Sequence, residues 1–554
     1  MCPEISCCRL MRHVTITAYG CEVKSKPALI IVLLVIAVVA AGVAVYSATS
    51  SPSAAPTPHT STPAQDAPRD SERSRENLPA APAGLENFYG QTPQWGPCEE
   101  GGPEWDCATV QVPLNYEKPD GKTIDIALKR LKGANAKASL FVNFGGPGGS
   151  GTETVTDWAP NALSPEMRAN FDIIGFDPRG VHKSSGVRCR TDAELDEDNA
   201  KYEFGRGEEM IKKIQAEAKE LAEKCLAKND IELLNNINTI SAVRDLDVLR
   251  DAVGDPKLTY IGYSYGTLLG ARYADTFPQN VGPFLLDSAV DPALSDSQLS
   301  AGQARGFEAS VRNFMQTCLD KGSGCPFTGS VDDGLQQLLD FMDKANKNPL
   351  PTADKNRPLT GGHVLGLVII TQYNPMNFND VAIEALANAM QKNDGSLALQ
   401  VMDFVNDRDA SGVYKTNQDD ALVLIRAVDG GPDSTDPAEW EKVNDQILKE
   451  APIMGRFFLY NDASRSAFDI KPTGVTGPVK AAGAGPILVV GSKGDPATIY
   501  EWSEALVEQL ESGHLITYDG WGHGIFGGKS ACIDEAVENY FLRGEMPTAN
   551  LVCN

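Results

Sequence analysis

One serine stands between two tyrosines and two glycines in the stretch Gly262-Tyr263-Ser264-Tyr265-Gly266. This G-x-S-x-G pattern follows the apolar run LTYIGY and precedes the helix-forming stretch TLLGARYADTF. A serine at such a strand–turn–helix junction is held in a strained backbone conformation that exposes its hydroxyl, and the glycines leave room for the turn. The spacing therefore predicts a nucleophile at Ser264, with a plain tight turn as the alternative.

A serine hydroxyl reacts only when a base removes its proton, and the chain offers six histidines. Four of them lie before the predicted globular part, in a predicted helical insertion or at the wrong end of a strand: His13, His59, His363 and His514. His523, in the stretch GWGHG, follows the last predicted strand, where loops of a parallel sheet build their sites. We predict His523 as the general base rather than a surface histidine, with His182 after FDPRG as a minor candidate.

The acid that orients the imidazole is predicted between the serine and the histidine, because that chain order is typical of this kind of nucleophile turn. Asp495 ends the run PILVVGSKGD, just past a predicted strand. A carboxylate there would hold the imidazole in the right tautomer and stabilise the imidazolium that forms. A helix cap before Pro496 is the competing interpretation, since proline suits a first helical turn.

A glycine-rich stretch, GGPGGSG at residues 145–151, directly follows the apolar run SLFVNF. Glycines let backbone N–H groups approach a developing oxyanion closely. We predict an oxyanion hole made by the N–H of Tyr265 and one from this loop, Gly146 first and Gly145 next. A phosphate-binding loop is the alternative, but the stretch has neither G-K-[ST] nor G-x-G-x-x-G. Acyl transfer by these groups needs no metal or cofactor, and no ligand spacing suggests one.

The elements that would position these residues are short apolar runs bounded by glycine and proline, which are typical of strands buried on both faces of a parallel sheet. The runs are SLFVNF (139–144), FDIIGF (171–176), LTYIGY (258–263), PFLLD (283–287), PILVVG (486–491) and LITYD (515–519). Two earlier runs, ATVQVPL and TIDIALKRL, alternate as half-buried strands do. With amphipathic helices between the runs, the pattern predicts an α/β fold with a mostly parallel sheet.

This rhythm is interrupted between residues 293 and 482, where the sequence is mainly helical. We interpret 293–482 as a helical cap inserted between two strands of the sheet. The predicted core then consists of residues 88–292 and 483–554. Residues 429–438, DGGPDSTDPA, are predicted to form an exposed loop in the cap.

The first 87 residues are predicted to lie outside the globular part. Residues 27–46 contain the uncharged run ALIIVLLVIAVVAAGVAV, whose length suits a membrane anchor, and the basic residues before it place residues 1–26 in the cytoplasm. A cleaved signal segment is the alternative. Residues 47–87 are rich in Ser, Pro, Thr and Ala and predict a flexible tether. With either interpretation, all residues after residue 50 are predicted to be exported from the cytoplasm.

Charge and cysteine content narrow the function further. The net charge of −25 argues against nucleic-acid binding, which needs a basic face. An even number of cysteines beyond the apolar segment, in an oxidising compartment, predicts disulfides. Pairing neighbours along the chain gives Cys98–Cys107, Cys189–Cys225, Cys318–Cys325 and Cys532–Cys553.

The motifs together resemble those of exported actinobacterial serine proteases of the tripeptidyl aminopeptidase type, which belong with the prolyl aminopeptidases among the α/β-hydrolases. They are NFGGPGGSG, FDPRG, RDLDVLRDAVG, GYSYGTLLGARYA, LDSAVDP, GSKGDPAT and GWGHG. The resemblance implies an α/β-hydrolase fold and the release of short peptides, often tripeptides, from peptide or protein substrates with free N-termini. It implies the same triad of Ser264, Asp495 and His523, with the acid and base in a TAP-like C-terminal domain.

Two departures from the family pattern concern the groove and the cap. His182, followed by Lys183, stands where relatives often have the second glycine of DPRGVG, which implies a groove of different shape and charge. The run from Ile425 to Asp429 lacks the cysteine of the I-x-C-x-D pattern that relatives often carry, which implies that a cap disulfide there is absent.

Two other functions fit the same residues. An esterase or lipase would use the same triad, since sequence does not separate ester from peptide substrates. A hydrolase fold that binds partners without catalysis is the less favoured alternative, because the set of Ser264, Asp495 and His523 is intact.

Overall fold

The computed structural model describes Arg75 and residues 77–554 of the chain. The predicted cytoplasmic N-terminus, the predicted membrane segment and most of the predicted tether lie outside these residues. Within residues 77–554, no helix has the length and hydropathy of a membrane span.

One sheet contains every strand of the described residues. The strands are β1 (Gly96–Pro97), β2 (Trp105–Pro113), β3 (Thr123–Leu131), β4 (Ala138–Asn143), β5 (Phe171–Phe176), β6 (Leu258–Tyr263), β7 (Val281–Asp287), β8 (Ile487–Gly494), β9 (Gly513–Trp521) and β10 (Leu551–Cys553). Their order across the sheet is β1-β2-β3-β5-β4-β6-β7-β8-β9-β10. From β5 to β10 all neighbours are parallel, whereas β1, β2 and β3 join antiparallel at one edge. The prediction of an α/β fold with a mostly parallel sheet is confirmed.

The central strands are apolar at successive positions because both faces of the sheet are covered. Along β4, Phe141 packs into the core on one face, and Leu140 and Val142 pack into the core on the other. Side chains alternate between faces in a strand, so an unbroken apolar run needs two cores. Helices supply both of them.

The helices before β7 are α1 (Gly151–Ala162), α2 (Pro165–Asn170), α3 (Asp192–Ala200), α4 (Glu208–Lys228), α5 (Ile231–Leu234), α6 (Thr239–Ala252) and α7 (Tyr265–Thr276). Between β7 and β8 come α8 (Asp296–Lys321), α9 (Val331–Lys347), α10 (Gly361–Thr371), α11 (Pro375–Lys392), α12 (Ser396–Val405), α13 (Gln418–Asp429), α14 (Pro437–Glu450) and α15 (Asn461–Ala467). The last two are α16 (Tyr500–Gln509) and α17 (Ala531–Arg543). Helices α6 and α7 pack on one face of the sheet, and α1 and α17 on the other.

The helices of the 293–482 cap have a hydrophobic core of their own. It includes Phe314 on α8, Met342 on α9, Leu367 on α10 and Leu386 on α11, all fully buried. The predicted loop at 429–438 is shorter than expected, because α13 continues to Asp429 and α14 begins at Pro437. That prediction was wrong at both ends.

A second group of helices lies against the cap and had no counterpart in the sequence reading. Residues 192–228, between β5 and β6, form α3 and α4. Ile211 on α4 packs with Trp440 and Tyr460 of the cap. Two separate insertions therefore form the helical layer over the sheet, one between β5 and β6 and one between β7 and β8.

The four predicted disulfides are present. They join Cys98 with Cys107, Cys189 with Cys225, Cys318 with Cys325 and Cys532 with Cys553. Each closes a short stretch of chain, so pairing by sequence proximity was sufficient here. Such bonds persist in oxidising compartments and are consistent with a protein outside the cytoplasm.

A buried ion pair joins the site end of β5 to helix α6. Arg179 donates from Nε to Asp245 Oδ2 at 2.7 Å and from Nη2 to Asp245 Oδ1 at 2.6 Å, and both side chains are excluded from water. The guanidinium also donates to the carbonyl oxygens of Pro113, Leu114 and Asn236. This one side chain therefore connects the end of β2, the start of α6 and the loop after β5.

Replacing Arg179 with methionine should strongly destabilise the fold, because the Asp245 carboxylate would stay buried without its cation. We expect the free energy of unfolding to fall by about 3–5 kcal/mol, measured by urea denaturation. Arg244→Met is the matched control, since Arg244 pairs with the exposed Glu117 at 2.9 Å. It should change the free energy by less than about 1 kcal/mol; equal losses in the two variants would contradict the role given to the buried pair.

Candidate active site

Ser264 occupies the turn between β6 and α7. Its backbone has φ 54° and ψ −123°, a conformation that residues with a side chain rarely adopt. The turn is tight: a Cβ at Gly262 would lie 2.3 Å from the carbonyl oxygen of Gly266, and one at Gly266 would lie 2.5 Å from that of Asn143. Glycine is therefore required on both sides of the serine. The geometry is that of a nucleophile elbow and not of an ordinary turn.

The predicted acid and base follow neighbouring strands and meet at the same edge of the sheet. Asp495 follows β8 directly, and His523 comes two residues after the end of β9. The imidazole Nδ1 lies 2.9 Å from Asp495 Oδ1 and 3.0 Å from Oδ2, and the carboxylate is buried. Since a carboxylate accepts hydrogen bonds, we assign the proton to Nδ1, which leaves Nε2 free to accept another proton.

The competing interpretation of Asp495 as a helix cap is wrong, because α16 begins at Tyr500 and Asp495 instead closes a turn ahead of it. Its Oδ1 accepts hydrogen bonds from the N–H groups of Ala497 and Thr498, both at 2.9 Å. These bonds close a turn three residues long just before α16. They fix the carboxylate while it faces His523, so closing this turn and orienting the base are compatible.

The elbow and the base loop are connected through two residues at the end of β7. The N–H of Ser264 donates to the carbonyl oxygen of Asp287 at 3.1 Å. The Asp287 side chain accepts from the N–H groups of Ile525 and Phe526 at 2.8 and 2.7 Å. The neighbouring Ser288 accepts from the N–H of Gly524 at 2.8 Å. The three residues after His523 are thus held by the strand that also holds the nucleophile turn.

The Ser264 hydroxyl forms no hydrogen bond with the imidazole in this structure. The ring's hydrogen-bond partners in the described chain are Asp495 and Thr498, both at Nδ1. In many hydrolases the bond between nucleophile and base tightens only in the substrate complex. The structure brings Asp495 and His523 into contact, and Ser264 lies at the same edge of the sheet without that last bond.

The predicted oxyanion loop lies directly against the nucleophile. A Cβ at Gly145 would be 2.9 Å from the Cβ of Ser264. The N–H of Gly145 donates to Asn143 Oδ1 at 3.0 Å, so it is occupied. The N–H groups of Gly146 and Tyr265 donate to no other residue in the part of the chain that the structure describes. This difference favours Gly146 over Gly145 as the donor from the loop.

A cavity of about 850 Å³ lies between the sheet edge and the cap. Ser264, Gly146, Tyr265 and Thr498 line it from the core. Part of its cap wall is apolar and includes Leu299, Phe307, Leu365, Ile369, Phe457 and Phe458. Charged residues line another part, namely Arg272, Asp291, Asp296, Arg426, Asp429, Asp433 and Arg465. Its volume is that of a site for a small ligand or a short peptide.

Comparison with known proteins gives the family. Residues 451–553 match the family described as TAP-like protein, and residues 140–366 match the family described as alpha/beta hydrolase fold. The chain is 33% identical over 485 residues to the serine protease Hip1 of Mycobacterium tuberculosis, covering 84% of this chain and 91% of that protein. The chain belongs to the TAP-like α/β-hydrolases.

Two further relatives carry different names. Carboxylesterase B of Mycobacterium tuberculosis is 33% identical over 453 residues, covering 81% of this chain and 86% of that protein. Tripeptidyl aminopeptidase of Streptomyces lividans is 28% identical over 465 residues, covering 81% and 83%. The family therefore includes proteins named for peptide and for ester substrates.

Thr498 lies in the TAP-like segment and contacts both the acid and the base. Its Oγ1 lies 3.1 Å from Asp495 Oδ2 and 3.2 Å from His523 Nδ1. Sequence reasoning quoted it in GSKGDPAT but gave it no role. The available signal was a hydroxyl three residues after the acid, at the turn that Asp495 closes.

The cap of this TAP-like hydrolase holds the base from the other side. The N–H of His523 donates to the carbonyl oxygen of Tyr373 at 2.9 Å, and the Tyr373 ring meets the imidazole edge-on with centroids 5.1 Å apart. Lys529 Nζ donates to the carbonyl oxygens of Tyr373 and His523, at 3.2 and 2.7 Å. Burial lowers the pKa of Lys529. Nothing in the sequence pointed to Tyr373, because its role depends on how the cap packs.

His182, the minor candidate for the base, is placed elsewhere. Its Nδ1 lies 3.2 Å from Asp177 Oδ2 and 3.4 Å from Ser150 Oγ, at the outer end of the glycine-rich loop. Its N–H donates to Asn417 Oδ1 of the cap at 2.7 Å. It therefore joins the loop after β5 to the cap rather than serving Ser264.

Thr498→Val should slow reaction at Ser264 by about 10-fold, because one hydrogen bond that orients the acid and base is removed. The measurement is the second-order rate of labelling of Ser264 by a fluorophosphonate. Thr498→Ser keeps the hydroxyl and should keep most of the rate. A loss in Thr498→Ser with the rate kept in Thr498→Val would show that the methyl group, and not the hydroxyl, is what matters.

Asp287 should make stability depend on pH. Burial raises the pKa of Asp287 to about 6, against 3.8 ordinarily, even though two backbone N–H groups stabilise the anion. Because the folded pKa is the higher one, its contribution to the free energy of unfolding is full below pH about 4 and is lost as the pH rises through about 6.

The test compares the wild type with Asp287→Asn, which does not titrate. Between pH 4 and 7, the wild type should lose on the order of 3 kcal/mol relative to the variant. Urea denaturation at several pH values gives this difference. A difference that does not change with pH would mean that Asp287 stays ionised throughout.

Proposed function

We propose that the protein is an exported serine peptidase that releases short peptides, such as tripeptides, from the free N-termini of peptide substrates. The observation that carries the proposal is the contact of His523 with the buried Asp495 at the sheet edge where the strained turn presents Ser264. The names of two relatives, serine protease Hip1 and tripeptidyl aminopeptidase, support peptide substrates.

The proposed reaction is acyl transfer in two steps. Ser264 Oγ attacks the scissile carbonyl while His523 Nε2 takes its proton, and the N–H groups of Gly146 and Tyr265 bind the oxyanion. The imidazolium, stabilised by Asp495, returns the proton to the leaving amine. Water, deprotonated by His523, then releases the peptide from Ser264.

The location of this activity follows from the disulfides and the N-terminal sequence. Four disulfides support a compartment outside the cytoplasm. We propose that residues 27–46 direct the chain across the membrane, as an uncleaved anchor or as a signal segment. The residues beyond the tether would then act at the cell surface or in the medium.

Ester hydrolysis is the second candidate, and the name of the relative carboxylesterase B favours it. The same triad serves both reactions, but an amide needs a protonated leaving amine whereas an ester does not. A peptidase should hydrolyse tripeptide amides with a free amine faster than their N-acetylated forms. An esterase should hydrolyse short acyl esters and leave both amides intact.

Ser264→Ala should abolish turnover of whichever tripeptide or dipeptide amides the wild type cleaves, because no acyl-enzyme can form. We expect a loss in kcat of about 10⁴- to 10⁶-fold, together with loss of fluorophosphonate labelling. Ser411→Ala, in an exposed turn of the cap, is the control and should behave as the wild type. If folded wild-type protein takes no label at Ser264, the proposal of catalysis fails.

A further inference from the structure

A peptidase acting at free N-termini needs a group that recognises the substrate ammonium, and a carboxylate in the cleft is the natural partner for it. The aspartates that line the cavity are Asp291, Asp296, Asp429 and Asp433. Asp296 is already paired with Arg426 and Arg465, at 2.9 and 3.2 Å. Asp433 is exposed to solvent, and Asp291 accepts from the side-chain amide of Gln509 at 2.6 Å.

Among the described residues, Asp429 differs from Asp296 in having no cationic partner, from Asp433 in being half-buried, and from Asp291 in its link through Thr239 to Tyr265, the residue after the nucleophile. It is the last residue of α13, is half-buried, and has no cationic partner within 4.0 Å among the described residues. Its Oδ1 accepts from the N–H of Thr239, and its Oδ2 accepts from the Thr239 hydroxyl, both at 2.6 Å. A carboxylate oxygen can accept more than one hydrogen bond, so each oxygen has capacity left for a ligand.

We propose that Asp429 binds the N-terminal ammonium of the peptide substrate and thereby limits how many residues are released. The proposal rests on the peptidase function proposed above. It names a residue in the same cavity as the nucleophile, at a point where the cap meets the start of α6.

The arginines near Asp429 have other acceptors, so its carboxylate is available to bind a substrate ammonium. Arg272, on α7, donates to the carbonyl oxygens of Pro292 and Gly477. Arg465, on α15, donates to two cap carbonyl oxygens and pairs with Asp296. Both guanidinium groups favour the ionised form of Asp429 from a distance, but burial outweighs them and raises the pKa of Asp429 to about 6. An ammonium in direct contact would offset that burial.

The distance from nucleophile to Asp429 fits a short acyl group. The hydroxyl of Tyr265, the residue after Ser264, lies 2.6 Å from Thr239 Oγ1, which is 2.6 Å from Asp429 Oδ2. With ordinary bond lengths, this path from the Tyr265 Cα to the carboxylate is on the order of 12 Å long, and the direct distance cannot exceed it. An extended peptide spans roughly 3.3–3.6 Å per residue. The path starts at Tyr265 and not at the Ser264 hydroxyl, so an ammonium at Asp429 and a carbonyl at Ser264 leave room for an acyl group of only a few residues.

The test compares tripeptide amides with a free amine and with an N-acetyl group, in wild type and Asp429→Asn. Asparagine keeps an acceptor for Thr239 but has no charge. In the variant, kcat/KM for the free amine should fall by about 10- to 100-fold, whereas kcat/KM for the acetylated substrate should not change. Asp340→Asn, at an exposed position on α9, is the matched control and should leave both values as in wild type.

The dependence on pH gives a second readout. We take the ratio of kcat/KM for the free amine to kcat/KM for the acetylated substrate. The catalytic groups act on both substrates, so their titration does not affect this ratio. It should fall below pH about 6, where Asp429 becomes neutral. It should also fall above pH about 8, where the α-amino group loses its proton. In Asp429→Asn the fall on the acid side should vanish, because the remaining amide does not titrate.

The outcomes separate this proposal from the one on which it rests. If the wild type cleaves the free amine preferentially and Asp429→Asn keeps that preference, another group binds the ammonium while the peptidase function stands. Equal losses on both substrates would mean that Asp429 supports the fold of the cleft, which overturns its role in recognition. If the wild type cleaves neither amide but hydrolyses an acyl ester, the peptidase function itself fails.

Discussion

The buried carboxylate of Asp287 holds together the two parts of the site that come from different regions of the chain. Its backbone accepts from Ser264 and its side chain accepts from the N–H groups of Ile525 and Phe526. The nucleophile turn and the base loop are separated by more than 250 residues of sequence, yet both are tied to the end of β7. A charged group excluded from water is costly, and here its hydrogen bonds to two backbone donors compensate part of that cost.

The same constraint accounts for the strained turn. A serine at positive φ persists only where its surroundings determine the conformation more strongly than the local preference does. At Ser264 the conformation is imposed by the hydrogen bond to Asp287 on one side and by the close approach of Gly145 on the other. The glycine-rich loop and the sheet edge thus support the serine from opposite sides, and the loop proposed to supply an oxyanion donor lies against it.

The local sequence predicted a structural feature correctly wherever that feature depended on a single strand or a short stretch of chain. Unbroken apolar runs marked the central strands because both faces are buried, and cysteines paired with their neighbours because each bridge closes a short stretch. The contact of Tyr373 with the base loop was not predictable, since it depends on how the cap packs on the sheet, whereas Thr498 offered one signal, a hydroxyl three residues after the acid. Asp429 was assigned to an exposed loop because the stretch DGGPDS consists of turn formers. Its hydrogen bonds to Thr239 at the start of α6 could not be predicted, because the two residues are far apart in the sequence.

The contact between His523 and Tyr373 has a consequence for how the enzyme handles its substrate. Tyr373, two residues after the end of α10, accepts the hydrogen bond from the N–H of His523. A movement of that helix away from the sheet would break this hydrogen bond. Any movement of the cap during substrate entry would therefore act directly on the position of His523.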